Sequence, residues 1–174
     1  MVTTDTGERL ARASALAAAV PDPEIPVVTL EDLGILRSVA EEDGRVVVVL
    51  TPTYTGCPAT QVIADDVRRA LSEAGIADAE VRLTLSPPWT TDWISAEGRR
   101  KLREYGIAPP GGDAPVGGSV LRFVPRARLA GETIDCPRCG SSNVERLSQY
   151  GSTPCKALYR CIACREPFDY FKPY

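Results

Sequence analysis

The sequence predicts an α/β domain followed by a small ribbon stapled by a metal ion, and three observations carry that expectation. From residue 8 to about residue 105, apolar positions recur at helical spacing in some segments and in strand-length runs or alternation in others, the pattern of helices and strands sharing one core. The stretch 108–118, Ala-Pro-Pro-Gly-Gly-Asp-Ala-Pro-Val-Gly-Gly, has no periodicity and reads as a linker. Four of the six cysteines then fall as Cys136-Pro-Arg-Cys139 and Cys161-Ile-Ala-Cys164. These two short pairs are far enough apart for a hairpin, so that four thiolates converge tetrahedrally on one ion. The resulting division is an α/β domain over 1–107, a Pro/Gly-rich linker over 108–134 and a four-cysteine zinc ribbon over 135–174.

Taken in order, residues 8–19 are alanine-rich with Leu10, Ala13, Leu16 and Ala17 at helical spacing, and Pro21, Pro23 and Pro26 end that helix in a stiff acidic loop. Leu33 to Val39 and Arg45 to Leu50 read as strands joined through Asp43-Gly44, the chemistry of a tight hairpin turn. The unbroken run Val46-Val47-Val48-Val49-Leu50 predicts a strand covered on both faces. Pro58 to Ala74 is an amphipathic helix with Ala59, Ile63, Val67, Ala70 and Ala74 on one stripe, Asp65 spaced to meet Arg69, and Gly75 at its C-terminal cap. A third strand follows at Val81, Leu83 and Leu85, then a helix from Ala96 to Tyr105 capped by Ser95 and ended by Gly106. Leu121 to Val124 reads as an edge strand stopped by Pro125.

A chain of 174 residues that is 44% hydrophobic can bury one ordinary core and still carry an appendage that needs a staple. No apolar run reaches the roughly 18 residues of a membrane span, and no basic n-region precedes an apolar h-region, so the expected location is the cytoplasm. Paired cysteines in that reducing compartment point to metal rather than disulfides. The net charge of −3 divides into 14 basic and 20 acidic residues over 1–135 against 6 and 3 over 136–174. One zinc ion with four thiolates adds −2 to the ribbon and nearly cancels its basicity, which argues against a nucleic-acid partner. The chain has no histidine, which removes the usual general base at neutral pH and the commonest ligand of open catalytic metal sites.

Cys136, Cys139, Cys161 and Cys164 are accordingly read as ligands of a structural zinc, with iron as the competing metal. Four protein ligands leave no open position, so this ion folds the ribbon and performs no chemistry; no catalytic residue is assigned. Cys57 stands in Thr55-Gly56-Cys57-Pro58. With Pro58 at the first helical position, Cys57 is expected at the N-cap, where amides and the helix dipole favour a thiolate. The alternative is a small buried apolar side chain. Cys155 is an accessory thiol beside Lys156, or a spare thiol on a turn. Asp22 and Glu24 are hard ligands for a metal in transit, or members of a solvated acidic loop. Of Trp89 and Trp93, at least one is expected to pack the last helix on the sheet.

The segments Asp22-Pro23-Glu24-Ile25-Pro26, Thr55-Gly56-Cys57-Pro58 and Pro88-Trp89-Thr90-Thr91-Asp92-Trp93-Ile94, in this order and at these intervals, resemble the SufT-like (MIP18-type) family of small iron–sulfur assembly factors. Cys136-Pro137-Arg138-Cys139-Gly140-Ser141, Gly151-Ser152-Thr153, Cys155-Lys156-Ala157-Leu158 and Glu166-Pro167-Phe168-Asp169-Tyr170-Phe171-Lys172 are similar to the PaaD family of phenylacetate degradation. Pro154 departs from the small residue expected before Cys155. The resemblance implies an α/β domain with a mixed sheet and two to three helices, a zinc ribbon, and service to the multicomponent oxygenase that epoxidises phenylacetyl-CoA. That system has a di-iron oxygenase and a reductase carrying an iron–sulfur cluster and flavin, yet the sequence holds no Gly-x-Gly-x-x-Gly and no Glu-x-x-His pair. The implied role is therefore maturation of the epoxidase rather than turnover. Cys57 would be the transient iron or iron–sulfur contact, Asp22 and Glu24 would support it, and the ribbon with Phe168, Tyr170, Phe171 and Tyr174 would dock the oxygenase or reductase components. A homodimer pairing two Cys57 thiols stays open. A structural subunit without metal transfer is the alternative, and a catalyst using Cys57 as nucleophile is disfavoured because no histidine is present to activate it.

Overall fold

The computed structural model describes residues 3–110 and 133–173, which form two compact units divided between Leu102 and Arg103. In the first, helix α1 (Thr3–Ala18) buries Ala13 and Ala17 completely. It starts earlier than its apolar stripe requires and ends at the proline loop. That loop closes through a bridge between Pro21 and Thr29. Strands β1 (Leu36–Glu42) and β2 (Arg45–Leu50) form the expected hairpin, and Asp43 and Gly44 both adopt positive φ, 50° and 78°, as a type I′ turn requires. Strand β1 begins three residues later than Leu33, because Leu33 and Gly34 are tied into turns by hydrogen bonds to Thr29 and Glu31.

Helix α2 (Thr60–Glu73) carries the chain back over the sheet, and β3 (Glu80–Leu83) then pairs with β2 in parallel. The sheet is therefore mixed, in the order β1-β2-β3. Central β2 has Val46, Val47, Val48 and Leu50 all at 1% exposure or less, the two-sided burial its unbroken valine run predicts. On α2 the ion pairs are spaced by three rather than four: Asp65 binds Arg68 and Asp66 binds Arg69. A short 3₁₀ turn (Thr91–Trp93) leads to helix α3 (Ala96–Tyr105). Ser95 caps that helix by accepting the Gly98 N–H at 2.9 Å. Trp89 is buried and donates from Nε1 to the Leu33 carbonyl at 2.8 Å. Trp93 instead stacks under the Arg37 guanidinium, 3.5 Å from the ring centroid.

The second unit is a four-stranded sheet in the order β4-β7-β6-β5, built from β4 (Ile107–Ala108), β5 (Val144–Ser148), β6 (Lys156–Cys161) and β7 (Pro167–Phe171). Ile107, assigned from the sequence to the α/β domain, and Ala108, assigned to the linker, both belong to this sheet: they pair in parallel with Asp169 and Tyr170 of β7. The expected strand at Leu121–Val124, most of the linker and Tyr174 lie outside the described residues. Phe168, Tyr170 and Phe171 do not form an exposed docking tail. They are 4%, 4% and 1% exposed, because β7 has a neighbour on each side and its alternate residues Phe168 and Tyr170 join Ala108, Cys136, Ala157 and Cys161 in the core.

Candidate metal centre and the Cys57 loop

Two turns of the same construction bring the ribbon cysteines together. In the first, the Gly140 N–H donates to the Cys136 carbonyl at 2.9 Å and the Cys136 N–H to Ser141 at 2.9 Å. In the second, the Arg165 N–H donates to the Cys161 carbonyl at 2.9 Å and the Cys161 N–H to Glu166 at 3.0 Å. Each turn closes through a residue of positive φ directly after its second cysteine, Gly140 at 73° and Arg165 at 66°. The leading cysteines, Cys136 and Cys161, are buried in the core, whereas Cys139 is exposed and Cys164 half-buried.

Across the turns, Cys136 Sγ lies 3.8 Å from Cys164 Sγ and Cys139 Sγ 3.5 Å from Cys161 Sγ, and all four ligand atoms fall within 4.8 Å of one another. Thiolates about 2.3 Å from a tetrahedral zinc stand about 3.8 Å apart, so the donor set fits that ion in size and chemistry. The metal-free thiols titrate unequally. The Cys164 N–H draws Cys161 down to about 7 against its desolvation. The Glu166 N–H favours the Cys164 thiolate, but desolvation and the neighbouring thiols push it up to about 12. Cys139 is likewise raised: the Ser141 backbone favours its thiolate, but the contact with Cys161 and desolvation outweigh that help. A bound cation takes the place of these protons.

Cys57 occupies different ground. The first helical bond of α2 runs from the Ile63 N–H to Ala59, and Ala59, already α-helical at φ −73°, is the N-cap, with no side chain capping the helix. The expected N-cap at Cys57 is thereby corrected. Pro58 and Ala59 form a separate turn, closed by the Thr60 N–H on the Cys57 carbonyl at 3.2 Å, which displaces Cys57 by two residues from the helix terminus. The thiol is half-buried. Beside it, Gly56 has φ 87° with open space where a side chain would stand, and the loop starts from Thr51, whose Oγ1 is buried without a hydrogen-bond partner among the described residues.

Asp22 is 8% exposed, and its Oδ1 accepts the Glu24 and Ile25 amides at 2.9 and 2.8 Å; it organises the proline loop in the manner of an Asx turn. Glu24 is half-buried in that loop. Among the described residues, only the ribbon quartet forms a group of three or more candidate ligands, so Asp22, Glu24 and Cys57 are not brought into such a group. Cys155 is 5% exposed, with Thr153 Oγ1 at 3.0 Å. It directly precedes β6 while Cys161 ends it, which separates the two by about 20 Å of extended chain. Its neighbour Lys156 is buried, with Nζ 3.7 Å from Asp169, whose carboxylate also accepts from Ser152 Oγ at 3.2 Å.

Sequence reasoning missed Asp32, which is 6% exposed and accepts from Lys101 Nζ at 2.7 Å. Its Oδ2 also accepts the Thr29 N–H at 2.9 Å, while Thr29 Oγ1 accepts the Asp32 N–H at 3.2 Å. Burial works against its charge, but Lys101 and Thr29 outweigh it and hold the carboxyl below its ordinary range. The signal was the spacing in Thr29-Leu30-Glu31-Asp32, that of a capping box.

Two family models match this architecture: that of the PaaD zinc beta ribbon domain over residues 124–172 and that of an iron–sulfur cluster assembly protein over residues 14–87. The chain is 48% identical over 158 residues to a protein of Escherichia coli K12 named as one subunit of a "Putative 1,2-phenylacetyl-CoA epoxidase", covering 91% of this chain and 89% of that one. The chain belongs to the PaaD family. The chain is also 38% identical over 78 residues to the Fe-S protein maturation auxiliary factor YitW of Bacillus subtilis, a match that spans 44% of this chain and 76% of that protein. The crystal structure of a DUF59 domain from Bacillus anthracis superposes with a TM-score of 0.51 at 30% identity, over 56% of this chain and 94% of that one. The PaaD ribbon thus contains the four-cysteine site, and the assembly-type α/β fold contains Cys57. No helix of the described residues is long and apolar enough to cross a membrane.

Proposed function

We propose that this PaaD-family chain is an accessory protein of phenylacetyl-CoA epoxidase that assists loading of the epoxidase's iron–sulfur or di-iron centre, with Cys57 as the transient contact for the iron in transit. One observation carries the reading: the chain carries two kinds of thiol. Four are closed on one another at metal-ligand distance in the ribbon, and a half-buried fifth stands beside an open glycine in the segment matched by the iron–sulfur assembly family. A site with four protein ligands has no position for substrate, which leaves Cys57 and Cys155; Cys155 is only 5% exposed, so Cys57 is the thiol able to exchange metal. Asp22 acts by holding the proline loop in shape, and Glu24 is the remaining carboxylate of that loop. The partners are the oxygenase or reductase components in the cytoplasm, and the domain division assigns the client contact to 1–107 and the zinc to 135–174.

The test is coexpression of the epoxidase components with wild-type chain or Cys57→Ala, followed by measurement of their iron content and epoxidation. The reading expects a loss of at least several-fold in both. Full metallation and activity with Cys57→Ala would reject metal transfer and favour a structural subunit. That Cys57 and Asp22 join no group of three candidate ligands among the described residues supports this second reading, which expects stable stoichiometric copurification with the oxygenase. A homodimer joining two Cys57 thiols would appear as a metal-dependent doubling of mass.

A further inference from the structure

The two sheets present four outer edges among the described residues, and three are blunted in ways that natural proteins use against stray pairing. Strand β1 carries a bulge between Leu36 and Ser38 and exposes Arg37, Glu41 and Glu42. Strand β5 carries one between Arg146 and Ser148, and β4 is only two residues long. Strand β3 differs: its register with β2 runs unbroken from Glu80 to Leu83, and its two charges are taken up by each other and by Glu42, since Arg82 binds both Glu80 and Glu42. The Thr84 N–H turns inward to the Leu50 carbonyl at 2.9 Å. By strand alternation, the N–H and C=O groups of Val81 and Leu83 therefore point to the side that no other strand of the described residues occupies, and the chain continues past the strand to Leu85. Leu83 and Leu85 are also 49% and 52% exposed.

The same hydrogen bond fixes where this edge lies. Thr84 leaves the sheet beside Leu50, and Leu50 is followed by the Thr51–Cys57 loop. The edge and the loop therefore share the C-terminal end of the parallel β2–β3 pair. The geometry points to β3 as a strand-addition site, where an extended segment of the epoxidase component being served, with apolar residues at alternate positions, docks along Val81–Leu85 at the sheet end from which the Cys57 loop departs. A second copy of the chain is the poorer occupant. Two such short strands and their leucines bury on the order of a few hundred Å², well below the roughly 1,000 Å² of a stable interface, and a small contact suits transient docking. This inference rests on the maturation reading for the identity of the partner.

Hydrogen exchange of the full chain, alone and mixed with the purified oxygenase and reductase components, reads the site directly. The amides of Val81 and Leu83 are expected to slow at least ten-fold on mixing, in wild type and in Cys57→Ala alike. A Leu83→Lys/Leu85→Lys variant should weaken binding of the components at least ten-fold. Binding without slowing at these amides overturns the inference. So does slowing already present in the chain alone, whether it grows with concentration, as a second copy requires, or is independent of it. Slowing at these amides together with normal iron loading by Cys57→Ala would retain the docking site and reject metal transfer. Loss of loading without slowing would do the reverse.

Discussion

Cys161 is the last residue of β6 whereas Cys57 lies seven residues past the end of β2, and the surroundings of the two thiols differ. Cys161 ends β6 inside a core, accepts a backbone N–H, and faces three other sulfurs within 4.8 Å. Cys57 lies past the end of β2 in a loop, half-exposed, outside any group of three candidate ligands among the described residues. A thiol surrounded by thiols is committed to one ion, because each sulfur is a ligand whose charge only the cation offsets. A thiol standing apart can release what it binds. The sharpest way to break this contrast is to exchange the fates of the two residues. Cys161→Ser should abolish zinc binding and, with it, the folding of 133–173, since structural zinc supplies on the order of 10 kcal/mol to such domains. Elemental analysis and limited proteolysis check this. Cys57→Ser should leave both unchanged. Equal loss in the two variants would mean that the thiols belong to one system.

The proton content of the ribbon sharpens the same contrast. In the folded ribbon Cys161 is drawn down to about 7, whereas the metal-free chain, in which the ribbon does not fold, carries this thiol near the ordinary value of 9. Zinc must displace each proton it finds, so proton release per zinc bound should be nearly complete at pH 6 and fall as the pH rises toward 9, with affinity rising accordingly. The sign is fixed by direction. A lowered thiol pKa gives stability that is full above the ordinary value near 9 and is lost as the pH falls through about 7. Cys57→Ser should leave the release unchanged, as measured by titration in weak buffer.

Next in size are contacts in the first unit. A Cβ at Gly98 would stand 2.5 Å from the Asp32 carbonyl oxygen, which neither backbone can relieve by a rotamer change. Gly98→Ala should cost about 2–3 kcal/mol in denaturant unfolding. Asp32→Ala removes the partner of Lys101 and the cap on the Thr29 N–H, and should cost about 2 kcal/mol at neutral pH. Because the folded carboxyl lies below its ordinary range, the contribution is complete above that range and disappears as the pH falls through the lowered value. The penalty of the variant should shrink in acid. Neither change should alter the zinc content.

These differences also explain what the sequence made legible. The ribbon ligands are readable because each pair is local, and the hairpin between them needs only length. The buried β2 strand is readable because five apolar residues in a row suit no half-exposed strand. The approach of Gly98 to Asp32, 66 positions away, is invisible in spacing, as is the pairing of Ile107 with Asp169. The N-cap is misplaced for a narrower reason. Proline suits the first position of a helix, but it suits a preceding turn equally well, and here Pro58 sits in the turn. The aromatic residues of β7 resemble a docking tail only while their strand is considered without its neighbours. Flanked by β6 and β4, it is an interior strand.

The two metal-binding turns, Cys136-Pro-Arg-Cys139-Gly140 and Cys161-Ile-Ala-Cys164-Arg165, offer the finest comparison at the residue that closes each. Gly140 and Arg165 follow the second cysteine of each pair with nearly equal positive φ, 73° and 66°, and no atom lies within 4 Å of a Cβ built on Gly140. A side chain at Gly140 therefore costs only what the left-handed region intrinsically imposes, about 1 kcal/mol per residue. Gly140→Ala should weaken the ribbon by about that amount, and Arg165→Gly should strengthen it by somewhat less, because glycine also gains freedom in the unfolded chain. Chelator competition at fixed pH reads both, as a several-fold change in zinc retention in opposite directions. If Arg165→Gly instead loses zinc, the arginine is needed for its charge beside the dianionic zinc–thiolate cluster, and the two turns are not equivalent.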